Sequence, residues 1–520
     1  MPETPSMPGL PIPGTVYPAP PEPPFPPLPP LPPRPPMYDV SADLPRVAPG
    51  RVFAAVAGTA VAAALLLPAG LSGIGIAVTG IIVLIAVFVG SPYRPGWGQL
   101  LTAAGIVALL AVPGWRSAEW LTVWYVLLAV AATGVLLISG RTLRDMAFAV
   151  VAPIVVSLRT SAWMTRAAGV AYLGSKVENP RAVLGVGVVT VVLVVVFGAL
   201  FAGADAMFAT LLSALTPDVD DPTVTANVAV GVVVGLFTAV GCYLRYARPR
   251  LTDHERTVAG DSWAWAVPTG TVLALFVAFL GTQAGAMIGG QDYVQDTANL
   301  TSAEYARSGF WQLFAVTALT ILVVSVAWQR AARTTTRDRV LVRGILGGLC
   351  VATLLVVVSA LHRMYLYIDA YGATRLRISV MAVELSLGAI VIALMVAGAG
   401  LGTRHLARVV GGLIIGAALA FAVYDPDAQI ARINVDRYEA SIARDEAPRI
   451  DTSYLSGLSP DATGQLLRLP TELQPCVLRL IAETAREKRG WTGFTVGRAQ
   501  AKADLHDVEL TSVDACPSPN

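Results

Sequence analysis

The segment LVRGILGGLCVATLLVVVSAL, Leu341–Leu361, decides the class of this protein. It carries one charge, Arg343, near its start, and a continuous apolar run behind it. A run of this kind reads as a helix, because a barrel strand would alternate apolar and polar positions. A helix needs about 20 apolar residues to cross a hydrocarbon core of ~30 Å, where every backbone amide must be satisfied within the segment. Similar stretches lie at 52–68, 71–90, 99–114, 118–138, 182–203, 224–246, 263–285, 309–329, 377–399 and 405–424, so eleven spans are expected. With 55% hydrophobic and 14% charged residues the chain is too apolar for a soluble domain. The expected fold is an all-α polytopic transmembrane bundle over residues 51–424, between a leader (1–50) and a polar C-terminal domain (425–520). Its first partner is therefore the lipid bilayer.

The leader is proline-rich, with PPEPPFPPLPPLPPRPP at Pro20–Pro36. Proline lacks the amide proton of helix and sheet interiors, so this stretch is expected to be disordered, largely polyproline II. It reads as a solvated spacer or as a docking segment for an SH3-like or WW-like cytoplasmic partner. The first apolar run begins too late for a usual signal peptide.

Loop charge orients the bundle. Arg141, Arg144, Arg159, Arg166, Lys176 and Arg181 crowd one connection, Arg245, Arg248, Arg250 and Arg256 a second, and Arg330, Arg333, Arg337, Arg339 and Arg343 a third. Alternating spans put all three on one side, provided that Met146–Leu158, too short to cross, is an interfacial helix. The 204–223 loop on the other side has Asp205, Asp218, Asp220 and Asp221 and no Lys or Arg. The leader is thus expected in the cytoplasm and the tail outside. The basic residues are almost all Arg, a bias of GC-rich bacterial genomes, so the membrane is expected to be a bacterial plasma membrane.

Net charge +2 predicts no nucleic-acid partner. There is no GxxxxGK loop, HExxH pair or GxSxG elbow, and four scattered histidines supply little for a triad or a metal cluster. No catalytic residue, cofactor or metal is therefore expected. GIGIAVTG at Gly73–Gly80 resembles a dinucleotide loop in letters only, since it opens no βαβ unit. Gly231-xxx-Gly235 and Gly398-xxx-Gly402 read as close helix approaches. Cys242 and Cys350 fall in spans; Cys476 and Cys516 lie in the tail, where an outer location would permit a disulfide. Ser459-Pro460-Asp461 fits a helix start, and a second tail helix is expected from Glu472 to Lys488.

The unusual polar residues collect on the expected outer side. His362, Arg363, Tyr365, Tyr367, Asp369, Tyr371, Arg375 and Arg377 lie in what reads as a short connection, HRMYLYIDAYGATRLR. Arginines there run against the positive-inside tendency. They read either as an aromatic belt with snorkelling arginines or as an anion site of guanidinium forks. Tyr305, Arg307, Trp311 and Gln312 precede the eighth span, and Asp205 belongs to the same side. Glu384 lies inside the tenth span, about 10 Å deep. A charge in hydrocarbon costs about 2.5–3.5 kcal/mol, so Glu384 should face protein or water. It reads as a structural or neutral carboxyl, with Arg363 or His362 as the expected partner, or as a proton-coupling group.

GADAMF (Gly203–Phe208), YARSGFWQL (Tyr305–Leu313), YLYIDAYGATRLR (Tyr365–Arg377), YDPDAQIARINVDRY (Tyr424–Tyr438) and DTSYLSGLSPDA (Asp451–Ala462) occur in that order. On these motifs the chain resembles a bacterial family of polytopic membrane proteins, domain of unknown function 4173, also grouped as 4153. It departs where the family often has Val-Pro and this chain has Thr463-Gly464. The resemblance implies architecture and no activity. Three functions fit the residues. One is binding or transport of an anionic, lipid-linked or other envelope molecule at the outer face, with Arg307, Arg363, Arg375 and Arg377 gripping the anion. Another is a non-catalytic scaffold or regulator of envelope partners. The third is a membrane-embedded transferase using Asp205, Asp369 or Glu384 as base.

Overall fold

Helices account for nearly everything the computed structural model describes, namely residues 38–39, 44–67, 72–138, 143–172, 197, 201, 204–205, 207–208, 222–248, 250–251, 263–298, 310–331, 335–400, 405–445 and 450–508. Two units divide the chain, Met1–Met37 and Tyr38–Asn520, and the description below concerns the second. The proline-rich leader up to Met37 and most of the expected span at 182–203 lie outside the described residues.

In chain order the long helices are α1 (Gly50–Leu66), α2 (Ile74–Val89), α3 (Trp97–Trp115), α4 (Glu119–Ile138), α5 (Leu143–Tyr172), α6 (Pro222–Ala247), α7 (Trp263–Ala298), α8 (Phe310–Arg330), α9 (Thr336–Tyr371), α10 (Arg375–Gly398) and α11 (Leu406–Tyr424). The tail adds α12 (Pro426–Ala443), α13 (Thr452–Ser456), α14 (Thr463–Leu466), α15 (Gln474–Arg486) and α16 (Val496–Asp504), with single 3-10 turns at Pro460–Ala462 and Trp491–Gly493. One two-residue antiparallel pair, Tyr38–Asp39 with Arg250–Leu251, interrupts this all-α order. Among the described residues nine helices, α3 to α11, are long and apolar enough to cross a membrane; α1 and α2 are apolar but shorter. The protein is membrane-embedded by this measure.

Packing follows side-chain size. At Gly231 a Cβ would sit 2.6 Å from the Ala60 carbonyl, and at Gly235 it would sit 3.1 Å from the Ala60 Cβ. α6 therefore lies almost backbone to backbone on α1, and the buried hydroxyls of Thr59 and Thr238 meet there at 2.9 Å. This bears out the expected close approach at Gly231-xxx-Gly235, whereas Gly398 meets Trp328 at an ordinary 3.6 Å and Gly402 lies outside the described residues.

Two segments differ from the sequence reading. The expected short interfacial helix at Met146–Leu158 is part of the 30-residue α5, whose apolar stretch Arg144–Arg166 is long enough to span. Its contacts nevertheless fall on the end turns of its neighbours. Ala149 abuts Gly134 four residues from the end of α4, and Met146 abuts Gly411 near the start of α11. Trp163 packs on Tyr243 and Tyr246 and donates to the Pro45 carbonyl at 2.8 Å. α5 thus runs across one end of the bundle, and length alone misjudges it.

The second difference is at His362–Tyr371, expected as a connection. It is the last part of α9, a 36-residue helix about 54 Å long, well over a bilayer core. Nothing breaks the helix before Gly372, whose φ of 82° takes the left-handed side that glycine tolerates. The true connection is Gly372–Thr374, and Thr374 caps α10 by accepting from the Arg377 amide.

At that end of the bundle the tail docks. One apolar core runs from Leu349, Val356 and Met364 of α9 through Ile430 and Val435 of α12 to Leu466, Leu478 and Ile481. The tail also reaches α2, where the Ile74 amide donates to the Phe494 carbonyl at 3.1 Å. The second expected tail helix is α15, trimmed to Gln474–Arg486.

Candidate functional site

α11 ends at Tyr424, and Asp425 turns the chain at φ 56° while its side chain accepts from the Ala428 amide. Pro426 occupies the first position of α12, where a missing N–H costs nothing. This turn delivers Asp427 into the protein, fully buried. Arg375, at the start of α10, donates Nε to Asp427 Oδ1 at 3.0 Å and Nη2 to Oδ2 at 2.6 Å. The indole of Trp120 donates to Oδ1 at 3.2 Å and the Ser459 amide donates to Oδ2 at 2.8 Å. Arg375 also donates to the Gly457 carbonyl at 3.0 Å, and its amide donates to the Tyr454 hydroxyl at 2.7 Å. The pair is bidentate and saturated, the geometry that lets an ion pair survive burial.

Beside it lies a second carboxylate. Asp461 Oδ2 accepts from the Ser117 amide at 2.8 Å and the Ser459 hydroxyl at 2.9 Å, while Oδ1 is buried without a hydrogen-bond partner. Burial first, and the neighbouring Asp425 second, push Asp461 up to about 7. Arg116 ties Asp425 by an ion pair and donates to the Ala422 carbonyl at 2.9 Å.

Between these groups and the tail is a cleft of about 210 Å³. Arg375, Arg489 and Arg498 line it, with Glu119 and the hydroxyl-bearing Ser72, Ser117, Ser459 and Thr484. Arg489 pairs with Glu119 at 3.0 Å and with Glu487 at 3.0 Å. Arg498 is buried and donates Nη2 to the carbonyls of Thr484 (2.8 Å) and Glu487 (3.0 Å), with the Glu487 carboxylate 3.8 Å away. Burial, then repulsion from Arg489, lower its affinity for its proton below the usual arginine value. An anion entering the cleft would relieve that repulsion.

The residues expected from sequence fall into separate places. Arg375 belongs to this site. Arg377 donates to the carbonyls of Tyr371 and Gly372, and its guanidinium sits 4.1 Å over the Tyr367 ring, which meets Tyr371 edge-on. It caps the end of α9. Asp369 is exposed nearby and acts on Arg437, which donates to the Ala370 carbonyl. His362 and Tyr365 are exposed on α9, and Arg363 is buried there. Trp311 is exposed and packs edge-on against Phe314, with Gln312 exposed beside it. Asp205 accepts from the amides of Met207 and Phe208 and so caps its own turn. Tyr305 and Arg307 lie outside the described residues. Glu384 is fully buried, and its partner is Thr317, not Arg363 or His362. Among the described residues no group of three or more His, Cys, Asp or Glu has metal-holding geometry.

Asp427, Asp461, Glu119, Arg489 and Arg498 escaped the sequence reading. A signal existed for the first two: Asp427 lies in YDPDAQ and Asp461 in LSPDA, two motifs already singled out. Arg375, Asp427 and Ser459 thus bring three of those motifs to one point. In the tail Cys476 is disulfide-bonded, while Cys242 and Cys350 are free; Cys516, the expected partner, lies outside the described residues.

The family model described as "Domain of unknown function (DUF4153)" matches residues 101–469. That range contains Arg375, Asp427 and Asp461 and stops before Arg489 and Arg498. No curated protein and no solved structure matches the chain.

Proposed function

This chain belongs to the family known by its domain of unknown function, DUF4153, and we propose that it binds an anionic envelope molecule in the cleft between bundle and tail. The protein lies in a bacterial plasma membrane, with its leader in the cytoplasm and its tail outside. The observation that carries the binding reading is Arg498: a buried guanidinium whose donors go to carbonyls, beside Arg489, in an open cleft. A phosphate or carboxylate there would take bidentate contacts from two guanidinium groups that repel each other, exchanging with Glu119 and Glu487. Arg489 and Arg498 line the cleft and take the anion-holding role, Arg375 supports the wall, and Arg377 caps α9 instead of lining the cleft.

The disulfide at Cys476 supports an outer tail, since such bonds persist in oxidising compartments. So does the grouping of Arg51, Arg245 and Arg248 around Tyr93 and Tyr246 at the opposite end of the bundle.

The test uses the full chain in phosphatidylcholine nanodiscs, titrated with inorganic phosphate, and then reconstituted with phosphatidylglycerol. The wild type should gain thermal stability with phosphate or with the anionic lipid, and the two arms separate a free phosphate from a headgroup. Arg498→Gln should lose the gain. An equal gain in the variant, or none in the wild type, refutes the reading. Labelling of Arg479→Cys, an exposed tail position, by an impermeant maleimide in intact cells tests the orientation.

A further inference from the structure

Glu384 stands apart from the cleft, on the tenth position of α10, and nothing in the binding reading uses it. It is fully buried in the bundle. Among the described residues no charged side chain of α8, α9, α11 or α12 pairs with it, and Arg363 on α9 is not its partner. One carboxyl oxygen, Oε1, lies 2.9 Å from the Thr317 hydroxyl of α8, and Oε2 has no hydrogen-bond partner.

The contacts at Thr317 give the acid little to hold a charge with. A threonine hydroxyl has one proton to donate and two lone pairs. Four buried threonines of this bundle donate that proton to the carbonyl four residues back, Thr133 to Ala129, Thr238 to Val234, Thr269 to Trp265 and Thr353 to Leu349, at 2.7–2.9 Å. Thr317 lies farther from the Leu313 carbonyl, at 3.2 Å, and donates to Glu384 Oε1 at 2.9 Å. The single hydroxyl proton is therefore shared at best between Leu313 and Glu384 Oε1, and Oε2 is left bare. A carboxylate here would sit in an apolar interior with one shared hydrogen bond and a bare second oxygen, which is costlier than a neutral acid.

We propose that Glu384 is a neutral carboxylic acid whose Oε1 accepts from Thr317, and that it is a proton-binding site of the bundle. Release of the proton requires water or a base to reach Oε2.

Infrared spectra of the full chain in nanodiscs at neutral pH test it. The wild-type-minus-Glu384→Gln spectrum should show the carbonyl stretch of a protonated carboxylic acid, the band of Asp461 cancelling between the two. Thr317→Val keeps the acid and removes the hydroxyl that donates to Oε1, so the band should move to higher wavenumber. That shift decides the matter even if Glu384→Gln fails to fold. A wild-type-minus-Thr317→Val spectrum that is flat in the carboxylic-acid region overturns the proposal. Loss of the band on adding sodium at constant pH also overturns it, by assigning the site to a metal cation.

Discussion

Replacing Asp427 with alanine should loosen the tail from the bundle. The carboxylate satisfies two guanidinium donors of Arg375, the Trp120 indole and the Ser459 amide, and it has no exposed surface. Its loss strands a guanidinium and two N–H groups. Removing one partner of a buried pair costs about 3–5 kcal/mol, chiefly through the charge left behind. Arg375 keeps 33% of its side chain exposed and its bond to Gly457, which places the cost near the lower bound, about 3 kcal/mol. At about 1.4 kcal/mol per decade this is roughly a hundredfold rise in the open state of the tail. Hydrogen exchange of the full chain in nanodiscs reads it directly: amides of α13 and α15 should exchange about a hundredfold faster, while those inside α3 keep their rate. The double variant Asp427→Ala/Arg375→Ala should recover part of the loss, since no charge remains stranded. Unchanged exchange in the tail would refute the clamp. A double variant as damaged as the sum of the singles would refute the stranded-charge explanation.

Three further outcomes are expected. Asp461 titrates at about 7 in the folded protein against an ordinary 3.8, so the folded state holds an extra proton between these values. Its contribution is full below the lower value and is lost as pH rises through the higher, so tail unfolding should need more denaturant at pH about 5 than at about 8, and Asp461→Asn should flatten the difference. At Gly497 a Cβ would lie 1.8 Å from Asp461 Oδ1 and 2.8 Å from Ser117 Oγ; Gly497→Ala should cost about 1–3 kcal/mol, measured by thermal unfolding. Cys476→Ser, or reduction of the native chain, should destabilise the tail by about 2–5 kcal/mol, visible as faster proteolysis after α12.

The spans were legible because crossing a bilayer is a local property: a sufficient apolar run is enough, wherever its neighbours lie. Burial of Glu384 was legible for the same reason, a carboxyl inside such a run. The extension of α9 through His362–Tyr371 was not, because polar and aromatic residues mark where a helix leaves hydrocarbon and not where it stops. Only Gly372, with its positive φ, marks the stop. α5 shows the converse, with enough apolar length to span but contacts along one end of the bundle.

By itself, then, the sequence determined an all-helical, membrane-embedded chain with unusual polar residues near the ends of its later spans. Tertiary structure decided which of those residues act together. Arg375 and Asp427 are 52 positions apart, and Arg489 meets Glu119 across 370. Nothing in the local sequence encodes such a pairing; it exists only because the turn at Asp425 and the shared apolar core lay the tail over the bundle. The arginines that looked free for an anion are partly spent on that docking, and the buried guanidinium lining the cleft belongs to Arg498, a residue no local pattern distinguishes.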